Sequence, residues 1–271
     1  KITEDRLAVS VKKILAYKYK TGLNKISTVD INNLYKDLNT PSNDSLQYAL
    51  YENAITLLKN DKEILPIKDL RQKVAYIKLG DDDNTTFLKA LNSYVDVQEI
   101  KADTPEEYNK KLKKFDIVII GFHKTDKPWK NQDFTANDID LIQEIAKSNK
   151  VILDVFAKPY TLLPLKSIKN IETILLSYQN NPISQEVSAE IIFGSVTAKG
   201  SLPVSINKFF FANKSLTTVD LKRLGFSNPE YVGVNSEKLN KIDEIANKAI
   251  QLKTTPGLQI LVARKGKIIY Q

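Results

Sequence analysis

The sequence predicts an α/β protein built on an open, mostly parallel sheet with helices on both faces. Two observations carry this. Short apolar runs alternate along the chain with segments whose apolar residues recur at helical spacing. Those runs are near-continuously apolar instead of alternating with polar residues, as strands covered on both faces are.

The N-terminal segment Thr3 to Lys20 reads as a lysine-rich helix with Leu7, Val11, Ile14 and Leu15 on one face and Gly22 placed to end it. A second short helix is expected from Val29 to Leu38. Asp44 reads as the cap of a longer helix carrying Leu46, Ala49, Leu50, Ala54, Leu57 and Leu58 and stopping before Leu65-Pro66. The period then changes. Val74 to Leu79, Val95 to Ile100, Ile117 to Gly121, Val151 to Phe156 and Glu172 to Ser177 are predicted strands. Helices are expected at Thr85 to Leu91, at Pro105 to Lys113, and after a Thr135 cap through Ile139, Ile142, Ile145 and Ala146. The last unit runs from Pro182 to Ile206, a helix with Ile183, Val187 and Ile191 that stops at Gly194. Pro203 cannot donate to a ladder, so its segment belongs at a sheet edge or in an extended exit.

Residues 208 to 234 show little periodicity and read as an ordered connector. Beyond them, Ser236 is placed to cap a helix with Leu239, Ile242, Ala246, Ala249 and Ile250, ended by Pro256-Gly257. Leu258 to Ala263 and Lys267 to Tyr270 flank Lys265-Gly266 as a hairpin. A helix and one hairpin leave an apolar face that they cannot bury between themselves. The tail is therefore expected to be the opening of a truncated domain, its apolar face covered by the sandwich or by a neighbouring molecule, or else mobile. The expected divisions are residues 1–43, 44–207, 208–234 and 235–271.

Composition narrows the classes of function. The 271 residues include 42% hydrophobic residues, ordinary for a globular protein, and no run approaches the roughly 18 apolar residues of a membrane span. The net charge of +8 comes from 40 Lys and Arg against 32 Asp and Glu, mostly lysine scattered through helices. That pattern argues against nucleic-acid binding, which favours an arginine-rich stripe or stacking aromatics in a recognisable module. There is no cysteine, so thiolate metal sites and disulfides are excluded, and compartment stays open on composition alone.

Three segments together resemble the C-terminal α/β sandwich domain of family 3 glycoside hydrolases: Glu52 to Asn60 followed by Ile64-Leu-Pro66, Lys114 to Gly121, and Ala189-Glu-Ile-Ile-Phe-Gly194 leading to Gly200-Ser-Leu-Pro203-Val. Arg6 to Leu23 resembles the helix and exit that close the family's preceding barrel. The stretches Arg223 to Leu239 and Thr255 to Tyr270 resemble the start of serine hydrolases of the β-lactamase class. The resemblance implies a bacterial polypeptide in which a β-N-acetylglucosaminidase-like barrel precedes residues 1–43 and a serine hydrolase continues past residue 271. It also implies a glycan containing N-acetylglucosamine as substrate, and a periplasmic, secreted or outer-membrane-attached location.

On this reading the chain carries no catalytic residue of its own and needs no cofactor. A retaining glycosidase uses two closely placed carboxyl or equivalent groups. In this family the nucleophilic Asp lies on the barrel, and in the N-acetylglucosaminidase branch so does the histidine that serves as acid-base group. His123, the single histidine, follows a sandwich strand in Gly-Phe-His-Lys-Thr and does not match that loop. Its place at a strand end makes it a candidate sugar contact, beside the blander role of a surface or capping residue. Trp129, between Lys127 and Lys130, is the best candidate for stacking on a pyranose ring, beside the alternative of packing on the sandwich.

Asp81-Asp-Asp83 reads as a solvated turn, since three consecutive side chains rarely converge on one cation. The strings Ser10-Val-Lys-Lys13, Tyr178-Gln-Asn180 and Lys20-Thr-Gly22 imitate serine-hydrolase motifs in an order and setting that do not fit them. Two rival readings are an autonomous carbohydrate-binding or interaction module, and an active hydrolase.

Overall fold

The structure, a computed structural model, describes every residue except Lys1, Ile26, Ser27 and Val29. Two compact units result, residues 1–43 and residues 44–271. In the first, helix α1 (Glu4–Lys20) is capped by the Thr3 hydroxyl, which accepts from the Arg6 N–H at 3.3 Å. Its first turn is acidic and its last basic, in accord with the helix dipole. Leu7, Val11, Ile14 and Leu15 are all exposed on it. Helix α2 (Leu34–Leu38) is shorter than expected, and Val29, its expected start, lies outside the described residues.

The larger unit is built on a six-stranded sheet in the order β1-β6-β5-β4-β2-β3. Its strands are β1 (Thr56–Asn60), β2 (Val74–Gly80), β3 (Val97–Glu99), β4 (Ile117–His123), β5 (Val151–Phe156) and β6 (Thr173–Leu176). All pair in parallel except β1, which runs antiparallel along β6. One face is covered by α5 (Pro105–Leu112) and α6 (Ala136–Ala146), which pack Leu112, Ile142 and Ile145 onto Val118, Ile120 and Leu153. The other is covered by α3 (Pro41–Ala54), α4 (Thr85–Asn92) and α7 (Pro182–Phe193), through Tyr48, Phe87, Leu91, Val187 and Ile191. This is the predicted fold class, and it needs the continuous apolar strands because both faces are buried.

Local chemistry accounts for most boundaries. Thr104, Thr135 and Asn181 each accept from a backbone N–H in the first turn of their helices, and Thr135 with Asp138 forms a reciprocal capping box. Gly194 ends α7 in the left-handed conformation, at φ 78°.

The structure corrects two sequence expectations and decides a third. The helix predicted from Asp44 through Leu58 starts at Pro41 and ends at Ala54, with Asp44 inside its first turn, and Thr56 to Asn60 form a strand. Leu57 packs into one core cluster and Leu58 against the other, so the pair obeys the twofold period of a strand. Two adjacent leucines satisfy both periods, and the free edge of β6 decides between them. In the tail, Asn235 and not Ser236 is the cap, accepting from the Lys238 N–H at 2.8 Å, and the helix breaks into α8 (Ser236–Leu239) and α9 (Lys241–Gln251). The Pro203 segment takes the second of its two expected placements, an exit outside the sheet. It leaves as irregular chain with Leu202 buried, the Leu202 carbonyl accepting from the Asn213 N–H at 2.8 Å.

The hairpin is present as β8 (Val262–Arg264) and β9 (Lys267–Tyr270), turning through Lys265 and Gly266, both at positive φ. It is not left to itself. The short strand β7 (Gly225–Phe226) pairs with β9 in parallel, and Lys267 reaches Glu190 on α7. Ile269 is buried, while Ile245, Ile250, Leu258 and Leu261 remain exposed.

Glycine is required at Gly80, where φ is +84° and a Cβ would lie 2.0 Å from the His123 carbonyl oxygen. At Gly233, with φ at +78°, a Cβ would meet no atom within 4 Å, so this position tests the backbone cost alone. In urea unfolding, Gly233→Ala is expected to cost about 1 kcal/mol and Gly80→Ala at least about 2 kcal/mol. Equal losses at the two positions would show that the close approach of β2 to β4 is not a constraint.

Candidate functional site

The strand order reverses between β2 and β4: from β2 the chain moves outward to β3, then returns to β4 on the other side. In open α/β sheets ligands bind outside the carboxyl ends of the strands at such a switch point. Here those ends are Gly80 and His123, which pair in register, and the loops leaving them diverge. Between the loops lies an open groove of about 390 Å³ lined by Asp81, Asp82, Lys124, Lys127 and Lys130.

His123 lies beneath this groove, with no exposed surface. It is therefore neither at the surface nor open to a ligand in this conformation. Both ring nitrogens are engaged, Nε2 with the Tyr76 hydroxyl and Nδ1 with Asn180 Oδ1, each at 2.8 Å. The donors can be ordered along the chain of bonds. Asn84 Nδ2 donates to the Tyr76 oxygen at 3.2 Å, and the Tyr76 hydroxyl donates to His123 Nε2. His123 Nδ1–H then donates to Asn180 Oδ1, while Asn180 Nδ2 donates to the Asp82 carboxylate at 3.0 Å and the Asp83 carbonyl at 2.8 Å. A neutral imidazole satisfies this order and an imidazolium does not. Burial pushes the His123 pKa down to about 4, the hydrogen bond to Asn180 and the charges of Asp82 and Asp83 opposing it and Lys78 adding to it. The ring stacks on Phe156 at a 4.5 Å centroid distance.

The three acids after β2 point to three different partners. Asp81 pairs with Lys124 at 3.1 Å, Asp82 accepts from Asn180, and Asp83 accepts from the Thr85 hydroxyl at 2.6 Å at the start of α4. Trp129 is fully exposed at the tip of the loop after β4, with φ at 68°, outside the groove wall. The structure thus places both predicted contacts on one loop-strand junction but separates them, one sealed below and one standing in solvent. Of the serine-hydrolase imitations, Ser10 and Lys13 lie on exposed α1, Lys20 is the last residue of that helix, and Asn180 belongs to the histidine network.

Sequence reading missed the second buried polar centre. Asp154, in the middle of β5, is fully buried and accepts from the Ser177 hydroxyl at 2.7 Å and from the Ser188 hydroxyl on α7. Burial raises its pKa to about 7, against the three hydrogen bonds it accepts. One signal existed, a lone carboxyl in the run Val151-Ile-Leu-Asp-Val-Phe156. Among the described residues no group of three or more His, Cys, Asp or Glu is placed to hold a metal ion.

This architecture is a doubly wound α/β sandwich whose switch-point edge is closed by side-chain hydrogen bonds. Residues 55–241 match the glycosyl hydrolase family 3 C-terminal domain, and the chain belongs to that family. Solved structures agree on the fold. A family 3 β-N-acetylglucosaminidase from Paenibacillus is similar at a TM-score of 0.51 and 20% identity over 74% of this chain and 39% of that one. A β-glucosidase from Listeria innocua reaches a TM-score of 0.57 at 14% identity over 76% and 33%. A fungal multi-domain family 3 β-N-acetylglucosaminidase gives 0.53 at 20% over 69% and 21%. The chain thus spans between about a fifth and two fifths of those proteins. No curated protein matches it. No helix among the described residues is long and apolar enough to cross a membrane.

The two buried centres titrate with opposite sign. Between about pH 4 and 6.5 the unfolded state binds the His123 proton and the folded state does not, so stability rises with pH. Between about pH 3.8 and 7 the folded state alone holds the Asp154 proton, so stability falls with pH. In their shared window the two slopes cancel. In urea titrations across pH 4 to 6.5, His123→Gln is expected to lower the slope of stability against pH by about 1.4 kcal/mol per unit, and Asp154→Asn to raise it by about the same amount. Parallel curves for wild type and either variant would refute the assignment.

Proposed function

We propose that this chain is the non-catalytic sandwich of a bacterial family 3 β-N-acetylglucosaminidase, joined to a barrel before it and to a β-lactamase-like serine hydrolase after it. The observation that carries the reading is that the strongly perturbed acid-base groups are spent on internal hydrogen bonds. His123 is neutral and enclosed, and Asp154 is enclosed among two serines. A general acid or base must reach the proton it transfers, and neither group reaches solvent. The exposed apolar stripe Leu7, Val11, Ile14 and Leu15 on α1 supports a neighbouring domain, because such a stripe is otherwise costly in water. Family membership and the greater length of the compared structures support the same arrangement.

In this arrangement the sandwich braces the barrel and holds the second hydrolase at a fixed orientation. His123 acts as a positioning residue, holding Asn180 and the acidic loop. Trp129 offers its indole face to a sugar ring of an N-acetylglucosamine-containing glycan at the edge of the barrel's site. The intact protein is exported, to the periplasm, the outer membrane or the medium.

The isolated 271-residue chain is expected to turn over neither an aryl N-acetylglucosaminide nor a chromogenic β-lactam. The intact polypeptide should hydrolyse the glycoside, and Trp129→Ala should raise its KM about fivefold while leaving kcat, the effect of losing one stacking contact. Turnover by the isolated chain that disappears on replacing Ser10 or His123 would overturn the reading. Sugar affinity of the isolated chain lost in Trp129→Ala would favour an autonomous carbohydrate-binding module instead.

A further inference from the structure

The chain leaving β4 closes on itself before it reaches α6. Gln132 Nε2 donates to the Thr125 carbonyl at 2.9 Å, Gln132 Oε1 accepts from the Lys158 N–H at 3.1 Å, and the Gln132 carbonyl accepts from the buried Thr161 hydroxyl at 3.0 Å. One residue therefore joins the two ends of the loop 125–132 and ties them to the 3₁₀ turn Pro159–Leu162 after β5. Among the described residues no other hydrogen bond spans those ends. Just beyond, Lys158 pairs with Asp133 at 3.5 Å and Phe134 packs on Phe122 at 4.2 Å, so the far side of the loop is anchored in the core.

Within the loop the Lys130 N–H donates to the Lys127 carbonyl at 3.3 Å, closing a turn whose central residues are Pro128 and Trp129. Trp129 has φ at 68°. Proline first and a left-handed residue second is the pattern of a type II turn, whose second place selects Gly or Asn. A bulky side chain there is strained. Trp129 gains no packing in return, since its ring is fully exposed. The end residues of the turn, Lys127 and Lys130, line the switch-point groove, which Trp129 does not. The single tryptophan of the chain thus occupies a costly place and is buried against nothing within the chain.

Strain of this kind persists only where its surroundings over-determine it. Here the surroundings are few. Pro128 fixes one dihedral of the turn, and the Thr125 hydroxyl accepts from the Lys127 N–H at 3.3 Å at its start. Gln132 in turn holds the Thr125 carbonyl to the end of the loop. Without the Gln132 side chain the two ends part, and the turn is free to relax to negative φ and carry the indole elsewhere. A ring that is ordered before its ligand arrives gives up less freedom on binding, so closing the loop favours whatever Trp129 contacts.

We propose that Gln132 is a positioning residue for sugar binding: it touches no sugar, and by closing the loop 125–132 it fixes the strained turn that presents Trp129 to a pyranose ring. The inference rests on the glycan contact assigned to Trp129 above and deepens it, because it names the residue through which the sandwich core holds that contact in place.

Amide relaxation in the 271-residue chain tests the ordering directly. Order parameters at Asp126, Lys127, Trp129 and Lys130 are expected near about 0.85 in the wild type and below about 0.6 in Gln132→Ala, with the amides of β4 and β5 unchanged. Gln132→Glu keeps the acceptor for the Lys158 N–H and loses the donor to Thr125, so it should loosen the turn as the alanine variant does. In the intact polypeptide, Gln132→Ala should raise KM for an aryl N-acetylglucosaminide about threefold with kcat unchanged, and should raise it no further when Trp129 is already alanine. Order parameters unaltered by Gln132→Ala, or a KM effect that adds in full to that of Trp129→Ala, would each overturn the proposal. An intact polypeptide that leaves the glycoside untouched would overturn the glycan contact itself, whereas a turn that loosens in Gln132→Ala would still support the positioning role.

Discussion

Helix α7 is the constraint on which the rest of the larger unit depends. It is buried from Ile183 to Phe193 except at Glu186, so each fully buried polar side chain it carries must find a partner inside the protein. Four of them do so in four directions. Ser184 donates to the Ser177 carbonyl at 2.9 Å at the end of β6. Gln185 accepts from the Phe87 N–H at 2.7 Å and donates to Asn180 and to the Asp83 carbonyl. Ser188 donates to Asp154 in β5, and Glu190 takes the Phe226 N–H and Lys267. The apolar residues of α7 hold it against the sheet. Its polar residues decide what else is held there.

Through Gln185, α7 fixes the acidic loop after β2 and the start of α4, and through Asn180 it reaches His123. The switch-point edge is thus rigid beneath and open above. Leaving a buried donor or acceptor unpaired costs roughly 1–3 kcal/mol, so no one member of the chain Asn84, Tyr76, His123 and Asn180 can be lost without stranding its neighbours. The same logic governs Glu190. Removal of Lys267 would leave a buried carboxylate facing Tyr48 and one backbone N–H, which explains why a two-residue strand suffices to seat the hairpin.

At the switch-point groove the acidic groups, and at the hairpin junction Glu190, are committed to partners. In the groove Asp81 and Lys124 neutralise each other, and Asp82 and Asp83 are absorbed by neighbouring elements. At the hairpin junction Glu190 is neutralised by Lys267 at 2.7 Å. A side chain's availability follows from its partners, and charge counts along the chain do not reveal it.

The strands at Val74, Ile117 and Val151 begin where their apolar runs begin, and Thr135, Pro182 and Gly194 bound their helices as capping chemistry requires. Local physics fully determines such features: burial on both faces demands a continuous run, and a cap needs only a side chain within three residues. Leu57 and Leu58 lay beyond it, because their pattern fits a helix and a strand alike and only the free edge of β6 selects the strand. Family, fold class and the presence of a hairpin at Lys265-Gly266 were also legible from the residues alone. Which polar groups face one another was not. His123 meets Tyr76 across 47 residues and Glu190 meets Lys267 across 77, and pairings at such separations depend on the packing of the whole sheet. The sequence by itself therefore determined the elements and their order, while the tertiary structure alone decided that the single histidine is sealed and neutral, and that the tail is pinned to the sandwich by a lysine.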